Sequence, residues 1–436
     1  MKNIQLGLTI LLLLICASII HAQIKEYEGR LDPKRGHEQI SLAVEDFTGV
    51  ENQRLTTADS VILVRMGEII RNDLDFSPFY EVVELDSFYM RHMELEVITL
   101  LGWSHLGAEY VVKGKASFSG ENINFSYRIY AAKSQMVFAR GRFQSITSNY
   151  RRLSHTIAND IIYYLTGDRG IFDTRICFMS KRTGNKELFL CDYDGANIYQ
   201  LTGNGSINLS PAFDPDGRRI LFTSFMNDKP QLYEYNVIDG NVSQIAAYPG
   251  INSAARVSPD GKHIVAALSR DGNAELYLLR RDGRIKRRLT YTKSIESSPC
   301  WSPTGKEIAF SSDRTGSPQI YIMDIDGVNV RRLTYQGGYN DSPDWSPRGD
   351  IIVFLSRVNG KFNICTIDVT GDNFRVLTER GNNENPHWSP DGNHIVFSST
   401  RTGTKEIYIM DRFGFEEKRL TAGGGNSNPY WSGYDR

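Results

Sequence analysis

The stretch PHWSPDGNHIVFSSTRTGTKEIYIMD, Pro386 to Asp411, is nearly repeated as PCWSPTGKEIAFSSDRTGSPQIYIMD from Pro299 to Asp324 and as PDWSPRGDIIVFLSRVNGKFNICTID from Pro343 to Asp368. Glycines that follow a Ser-Pro or Asp-Pro pair stand at Gly217, Gly261, Gly305, Gly349 and Gly392, a period of 44 residues that shortens to 43 at the last step. A Leu-Thr mark, once degraded to Ile-Ala, recurs with the same spacing at Leu201, Ile245, Leu289, Leu333, Leu377 and Leu420. Within a unit, a Trp-Ser-Pro stretch, EIAFSS and QIYIMD are separated by Gly-containing turns and closed by VRRLTY. Each unit therefore reads as four short strands. Four strands on a period near 44 specify a propeller blade.

The two ends of the array complement each other. RICFMSKRTG, ELFLCDYDG and NIYQLT, Arg175 to Thr202, supply three strands with no opening strand before them, and NPYWS, Asn428 to Ser432, is an opening strand with no blade after it. Joined, they make a sixth blade and leave no open sheet edge. Trp301, Trp345, Trp388 and Trp431 share one slot with Phe213 and Val257, which reads as packing between neighbouring blades. The Asp-Gly pairs near Asp192 and Asp324 lack the closing Glu of a calcium loop and read as hairpin turns.

Residues 39–167 read as a small α/β domain with a mixed sheet. ISLAVEDF, YEVVEL and AEYVVKGKASF are strands, and INFSYRIYAA and MVFARGRFQSI follow as a hairpin. A helix over Ala58 to Leu74 directs Ile62, Met66, Ile69, Ile70 and Leu74 inward, and a last helix over Tyr150 to Leu165 does the same with Leu153, Ile157, Ile161 and Leu165. The N-terminus carries Lys2, an apolar run from Leu6 to Ile20 and a small residue at Ala22, the pattern of a cleaved signal peptide. That run is shorter than the roughly 20 apolar residues of a spanning helix, and Ile15 before Cys16 opposes lipidation. The expected organisation is a signal peptide over 1–22, a mobile arm over 23–38, the α/β domain over 39–167 and a six-bladed β-propeller over 168–436.

Lys plus Arg number 50 and Asp plus Glu 51, so no overall field recruits nucleic acid. The remaining cysteines, Cys177, Cys191, Cys300 and Cys365, have no metal-ligand spacing. Cys177 and Cys191 flank one turn, where either a cross-hairpin disulfide or two reduced side chains fits the spacing. The eight histidines form no HExxH pattern, and neither a GxSxG elbow nor a P-loop occurs. No metal or cofactor is expected. A protein-binding scaffold is the leading reading, with a propeller lyase or hydrolase, or a small-ligand binder, as alternatives.

In a propeller the first strand of each blade lines the central channel, so the loops entering those strands ring one mouth. Here they place Asn208, Glu296, Asn340, Asp341, Glu384, Asn385 and Asn426 around it. The turns between second and third strands open on the same face and add Arg182, Arg270, Arg314, Arg357 and Arg401. Guanidinium groups beside amides and acids can grip a partner through directed hydrogen bonds.

RRLSHTIANDIIYYLTGDRGIFDTRICFMS, Arg151 to Ser180, together with LAVEDFTG, Leu42 to Gly49, and the six blades, resembles the TolB family of the Tol-Pal envelope system. The resemblance covers nearly the whole chain after residue 22. It implies a periplasmic adaptor that receives the lipoprotein Pal at the channel mouth, with Ser297, Ser298 and Ala254 at matching positions and Asn252 close by. Ala255 stands where that blade of the family usually has Pro. The resemblance also implies that the arm, beginning Gln23, Ile24, Lys25, Glu26 and Tyr27, engages TolA of the inner membrane, and its Gly and Pro suit a segment that orders on binding.

Overall fold

Strand β1 (Ile40–Val44) is the first element in a computed structural model that describes residues 39–83 and 99–434. The expected signal peptide and the arm with Gln23 to Tyr27 lie outside the described residues. After β2 (Thr48–Gly49), helix α1 (Thr57–Phe76) begins at a capping box: the Asp59 amide donates to the Thr56 hydroxyl at 3.2 Å, and the Thr56 amide to the Asp59 carboxylate at 2.9 Å. Its buried face is Leu63, Met66, Gly67, Ile70, Asp73 and Leu74. Ile62 and Ile69, expected inside, are only half-buried. The helix is turned because it packs on the propeller as well as the sheet, and Asp73 faces that second contact.

The remaining elements are β3 (Tyr80–Val82), α2 (Leu100–His105), β4 (Tyr110–Ser119), β5 (Asn122–Ala131), β6 (Met136–Ile146) and α3 (Tyr150–Thr166). The sheet runs β3-β1-β4-β5-β6, parallel where β1 meets β3 and β4 and antiparallel onward, so the expected mixed sheet is present. Helix α2 was not anticipated; six residues are too few to show a period. Leu153, Ile157 and Ile161 are buried on α3, which ends at Gly167 in the left-handed conformation (φ 80°), its amide bonded to the Tyr163 carbonyl.

Six four-stranded sheets follow. Five are continuous, opening with Asn208–Phe213, Asn252–Val257, Glu296–Trp301, Asn340–Trp345 and Asn383–Trp388. The sixth joins the last strand, Ser427–Trp431, to β7 (Arg175–Ser180), β8 (Glu187–Asp192) and β9 (Tyr199–Gln200). Trp431 pairs Ile176 and Tyr430 pairs Cys177 across that seam. The Trp431 indole also donates to the Thr174 hydroxyl at 2.8 Å. The ring closes between the two ends of the repeat array, as the repeat arithmetic requires.

The shared slot is filled as expected: Trp301 packs with Val265 and Leu278 of the preceding blade, and its indole donates to the Arg256 carbonyl there. Cys177 pairs with Leu190 and Cys191 with Ile176, so the two thiols point to opposite faces of their hairpin and are free. The α/β domain docks on the fifth and sixth blades. Its core is continuous with Ile176, Phe189, Ile407 and Trp431. His394 stacks on Phe76 with ring centroids 4.2 Å apart. Buried Asp73 accepts from Tyr193 and lies 2.8 Å from Nδ1 of His155, which is itself buried in the domain junction.

Candidate partner-binding site at the channel mouth

All six opening strands carry the same irregularity. At their third position, counting the sixth from Asn426 just ahead of its ladder, the backbone enters the left-handed region, at Ser210, Ala254, Ser298, Ser342, Asn385 and Asn428, with φ between 48° and 54°. Pairing to the second strand skips there in every blade. Such conformations cost about 1 kcal/mol or more each for residues with a Cβ and persist only where the surroundings over-determine them. These six positions line a chamber of about 70 Å³ at the mouth.

The first position of the strand behaves differently. Asn208, Asn252, Glu296, Asn340 and Asn426, expected as direct contacts, are wholly buried. They latch blades together. The Asn426 amide donates to Glu406 at 2.6 Å, Asn340 to Gln319 at 2.8 Å and Asn208 to Glu187 at 3.0 Å, each acceptor belonging to the preceding blade. Those three acceptors also take a hydrogen bond from Thr421, Thr334 and Thr202. This is the structural reason for the Leu-Thr mark: the Thr hydroxyl joins a strand edge to the next opening strand. Glu296 accepts from Thr292 and Ser312 and pairs with Arg314 at 3.0 Å. Asn252 instead donates to the carbonyls of Tyr248 and Pro230. A buried polar group that lacks such partners is costly, which explains why these loops are rich in Asn and Thr without presenting them to a partner.

The rim itself consists of half-exposed Ala254, Ser297, Ser298, Asp341, Glu384 and Asn385. Glu384 pairs with Lys405 at 2.6 Å, and Asp341 accepts from Ser311 at 2.6 Å. Of the arginines, Arg314 lies over Tyr321 and Arg401 over Tyr408, with Arg401 also donating to Asn383 at 3.1 Å. Both are spent bracing their own blades. Arg357 is exposed, as are Arg182 and Arg270.

Deeper in, the fifth position of the opening strands forms a constriction that the sequence reading missed. Arg256, Asp344, His387 and Tyr430 line both the mouth chamber and a wider chamber of about 290 Å³ on the opposite face. Arg256 lies over the Tyr430 ring, and His387 packs against it at 3.6 Å between ring centroids. The Trp431 amide donates to His387 Nδ1, and His387 Nε2 lies 3.5 Å from Asp344, whose carboxylate accepts from the Trp388 amide at 2.8 Å. Burial pushes the Asp344 carboxyl up to about 7, against the pull of that amide and of Arg256. Burial and the nearby guanidinium push His387 down to about 3. A signal existed: this is the slot where the repeat does not repeat, reading Ala212, Arg256, Cys300, Asp344, His387 and Tyr430.

Residues 163–435 match the family profile described as the TolB beta propeller domain, and residues 33–137 that of the TolB amino-terminal domain. The chain belongs to the TolB family. The Tol-Pal system protein TolB of Geobacter sulfurreducens is 39% identical to it over 225 residues, 50% of each chain. The TolB homolog of Chlorobium chlorochromatii is 35% identical over 200 residues, 45% of this chain and 44% of that protein. The chain thus spans about half the length of the curated relatives it matches. The crystal structure of TolB from Acinetobacter baumannii shares the fold, with a TM-score of 0.77 over 91% of this chain and 98% of that one, at 24% identity.

Proposed function

We propose that this chain is a periplasmic, non-enzymatic adaptor of the Tol-Pal system, binding Pal at the channel mouth and TolA through the arm that begins Gln23, Ile24, Lys25, Glu26 and Tyr27. In that role it links an energy-coupled inner-membrane complex to the peptidoglycan-bound outer membrane, maintaining envelope integrity and supporting constriction during division. Membership of the TolB family supports the reading, and so do the Tol-Pal names of its relatives. The observation that carries it is the rim. Six opening strands hold small polar and acidic side chains half-exposed on a strained, over-determined backbone, a pre-organised surface that loses little entropy when a partner docks. The contacts are Ser297, Ser298, Asp341, Glu384 and Asn385 with Ala254 and Arg357, while Asn208, Asn252, Glu296, Asn340, Asn426, Arg314 and Arg401 hold the rim in shape.

The test is a calorimetric titration of the chain from Gln23 onward with the periplasmic domain of Pal from the same genome. Stoichiometric binding that Ser297→Arg with Glu384→Arg abolishes, at unchanged thermal stability, is the expected result. Binding untouched by those rim changes would refute the assignment of the mouth. Deleting residues 23–34 should remove TolA binding and leave the propeller melt unchanged.

A further inference from the structure

One face of the N-terminal sheet is an anomaly of charge. Lys113, Arg128 and Arg140 stand directly opposite one another across β4, β5 and β6. One pleat further, Lys115 and Arg142 flank Ser126 in the same register. Like charges in register across a sheet are destabilising. The chain as a whole has a formal net charge of −1, so this clustering is not a reflection of general basicity. Glu45 pairs with Lys113 at 2.8 Å and Glu51 with Lys115 at 3.3 Å. Among the described residues no carboxylate pairs with Arg128, Arg140 or Arg142.

Beside this face, the start of β6 forms an apolar tip. Met136, Val137 and Phe138 are 69%, 46% and 51% exposed, and β6 is the edge strand. The register slips between Ala139 and Val137. Phe138 consequently reaches the Tyr110 ring, with centroids 5.2 Å apart, while Val137 pairs Tyr130. Consecutive apolar side chains thus protrude from a narrow edge. At this end Glu109 and Lys133 are both exposed and offset each other in charge. A rigid protein face would cover one flank of such a tip, whereas a headgroup layer deforms around both.

We propose that this basic sheet face and its hairpin tip dock on an anionic lipid bilayer, phosphate-bearing headgroups taking the guanidinium groups of Arg128, Arg140 and Arg142 and Met136, Val137 and Phe138 entering the boundary with the acyl chains. Cations beside exposed apolar side chains are the combination that holds proteins at membrane surfaces. The inference is independent of the channel mouth.

Co-sedimentation with phosphatidylcholine vesicles, with and without phosphatidylglycerol, tests it on the chain from Gln23 onward. Binding is expected only to the anionic vesicles and to weaken as salt rises. Arg128→Gln, Arg140→Gln and Arg142→Gln together should weaken it about a hundredfold. Val137→Ser with Phe138→Ser should weaken it at every salt concentration. Circular dichroism checks that each variant is folded, and unchanged Pal titration by the arginine variant keeps the two readings separable. Absence of vesicle binding at low salt, equal binding to neutral vesicles, or indifference to the arginine changes would each overturn the proposal. So would capture of heparin or polyglutamate through these arginines without vesicle binding.

Discussion

The third and sixth blades contain the same four strands, the same slot tryptophan and the same bulge, yet they do different work. The third is one unbroken piece of chain, and its tryptophan seals a gap between two neighbours. The sixth is assembled from residues at opposite ends of the propeller, and its tryptophan belongs to a core that also contains Leu42, Met66 and Ile157 of the α/β domain. One local sequence pattern therefore makes a spacer in one place and a keystone in another. Connectivity, not strand chemistry, sets the difference, because the sixth blade alone carries both ring closure and domain docking.

The largest effect should come from removing residues 427–436. The sixth blade then loses its inner strand and β7 becomes an open edge bearing unpaired amides and carbonyls. Loss of the cooperative thermal transition and formation of aggregates on size-exclusion chromatography are expected. A monomer with an unchanged melt would show that closure contributes nothing.

Trp431→Ala against Trp301→Ala sharpens the contrast without cutting the chain. Large-to-small changes at buried aromatic positions cost about 3–5 kcal/mol. Trp301 is expected at the lower end and Trp431 at the upper, because Trp431 is 1% exposed against 8% and its indole bonds Thr174 at the domain junction. Urea unfolding followed by circular dichroism measures both, and equal losses would contradict the keystone role.

How much of this was legible in the sequence follows from what repetition can and cannot encode. Gly217, Gly261, Gly305, Gly349 and Gly392 announce the turns because φ there is positive, between 68° and 81°, and glycine alone adopts it at no steric cost. The blade count and the two-ended closure follow from those positions. Asn208, Asn340 and Asn426 were misread because Asn in a loop ordinarily means a turn or a wet surface. Their acceptors lie 20 or 21 residues back, in another blade, a distance that no local pattern links. The repeat conceals its most chemical slot for the opposite reason: Arg256, Asp344 and His387 share no residue type, so they look like drift until the ring brings them together.

That constriction, where Tyr430 of the sixth blade meets side chains of continuous ones, predicts a specific pH signature. Folded Asp344 holds its proton up to about pH 7, whereas an unfolded Asp releases it near 3.9. Between those values the folded state binds the extra proton, so this group's contribution to stability falls as pH rises. His387 works the other way: the unfolded side chain is protonated below about 6.5 and the folded one only near 3, so its contribution rises with pH. From about pH 4 to 6.5 the two slopes oppose each other. Asp344→Asn should leave a stability that rises with pH relative to the unsubstituted chain, by up to about 1.4 kcal/mol per unit, and His387→Gln one that falls. Urea midpoints across that range provide the measurement, and parallel profiles for the two variants would sink the assignment.

The smallest effect separates the two blades at their bulges. Ser298 in the third blade and Asn428 in the sixth hold φ of 48° and 51°. Asn tolerates the left-handed region better than Ser because its short amide bonds the local backbone. Ser298→Gly should therefore stabilise by about 1 kcal/mol, offset in part by the added freedom of glycine in the unfolded chain, and Asn428→Gly by less. If the strain belongs to the rim and not to the residue, Ser298→Gly should also weaken Pal binding, since a glycine would release the backbone that holds Ser297 in place. Thermal melts and a Pal titration on these variants and on Ser298→Ala, which removes the hydroxyl but keeps the Cβ, separate the possibilities: a gain in stability with affinity no lower than that of Ser298→Ala would mean that the left-handed ring is only a packing solution, and a gain with affinity lost beyond that of Ser298→Ala would mean that the strain maintains the binding surface.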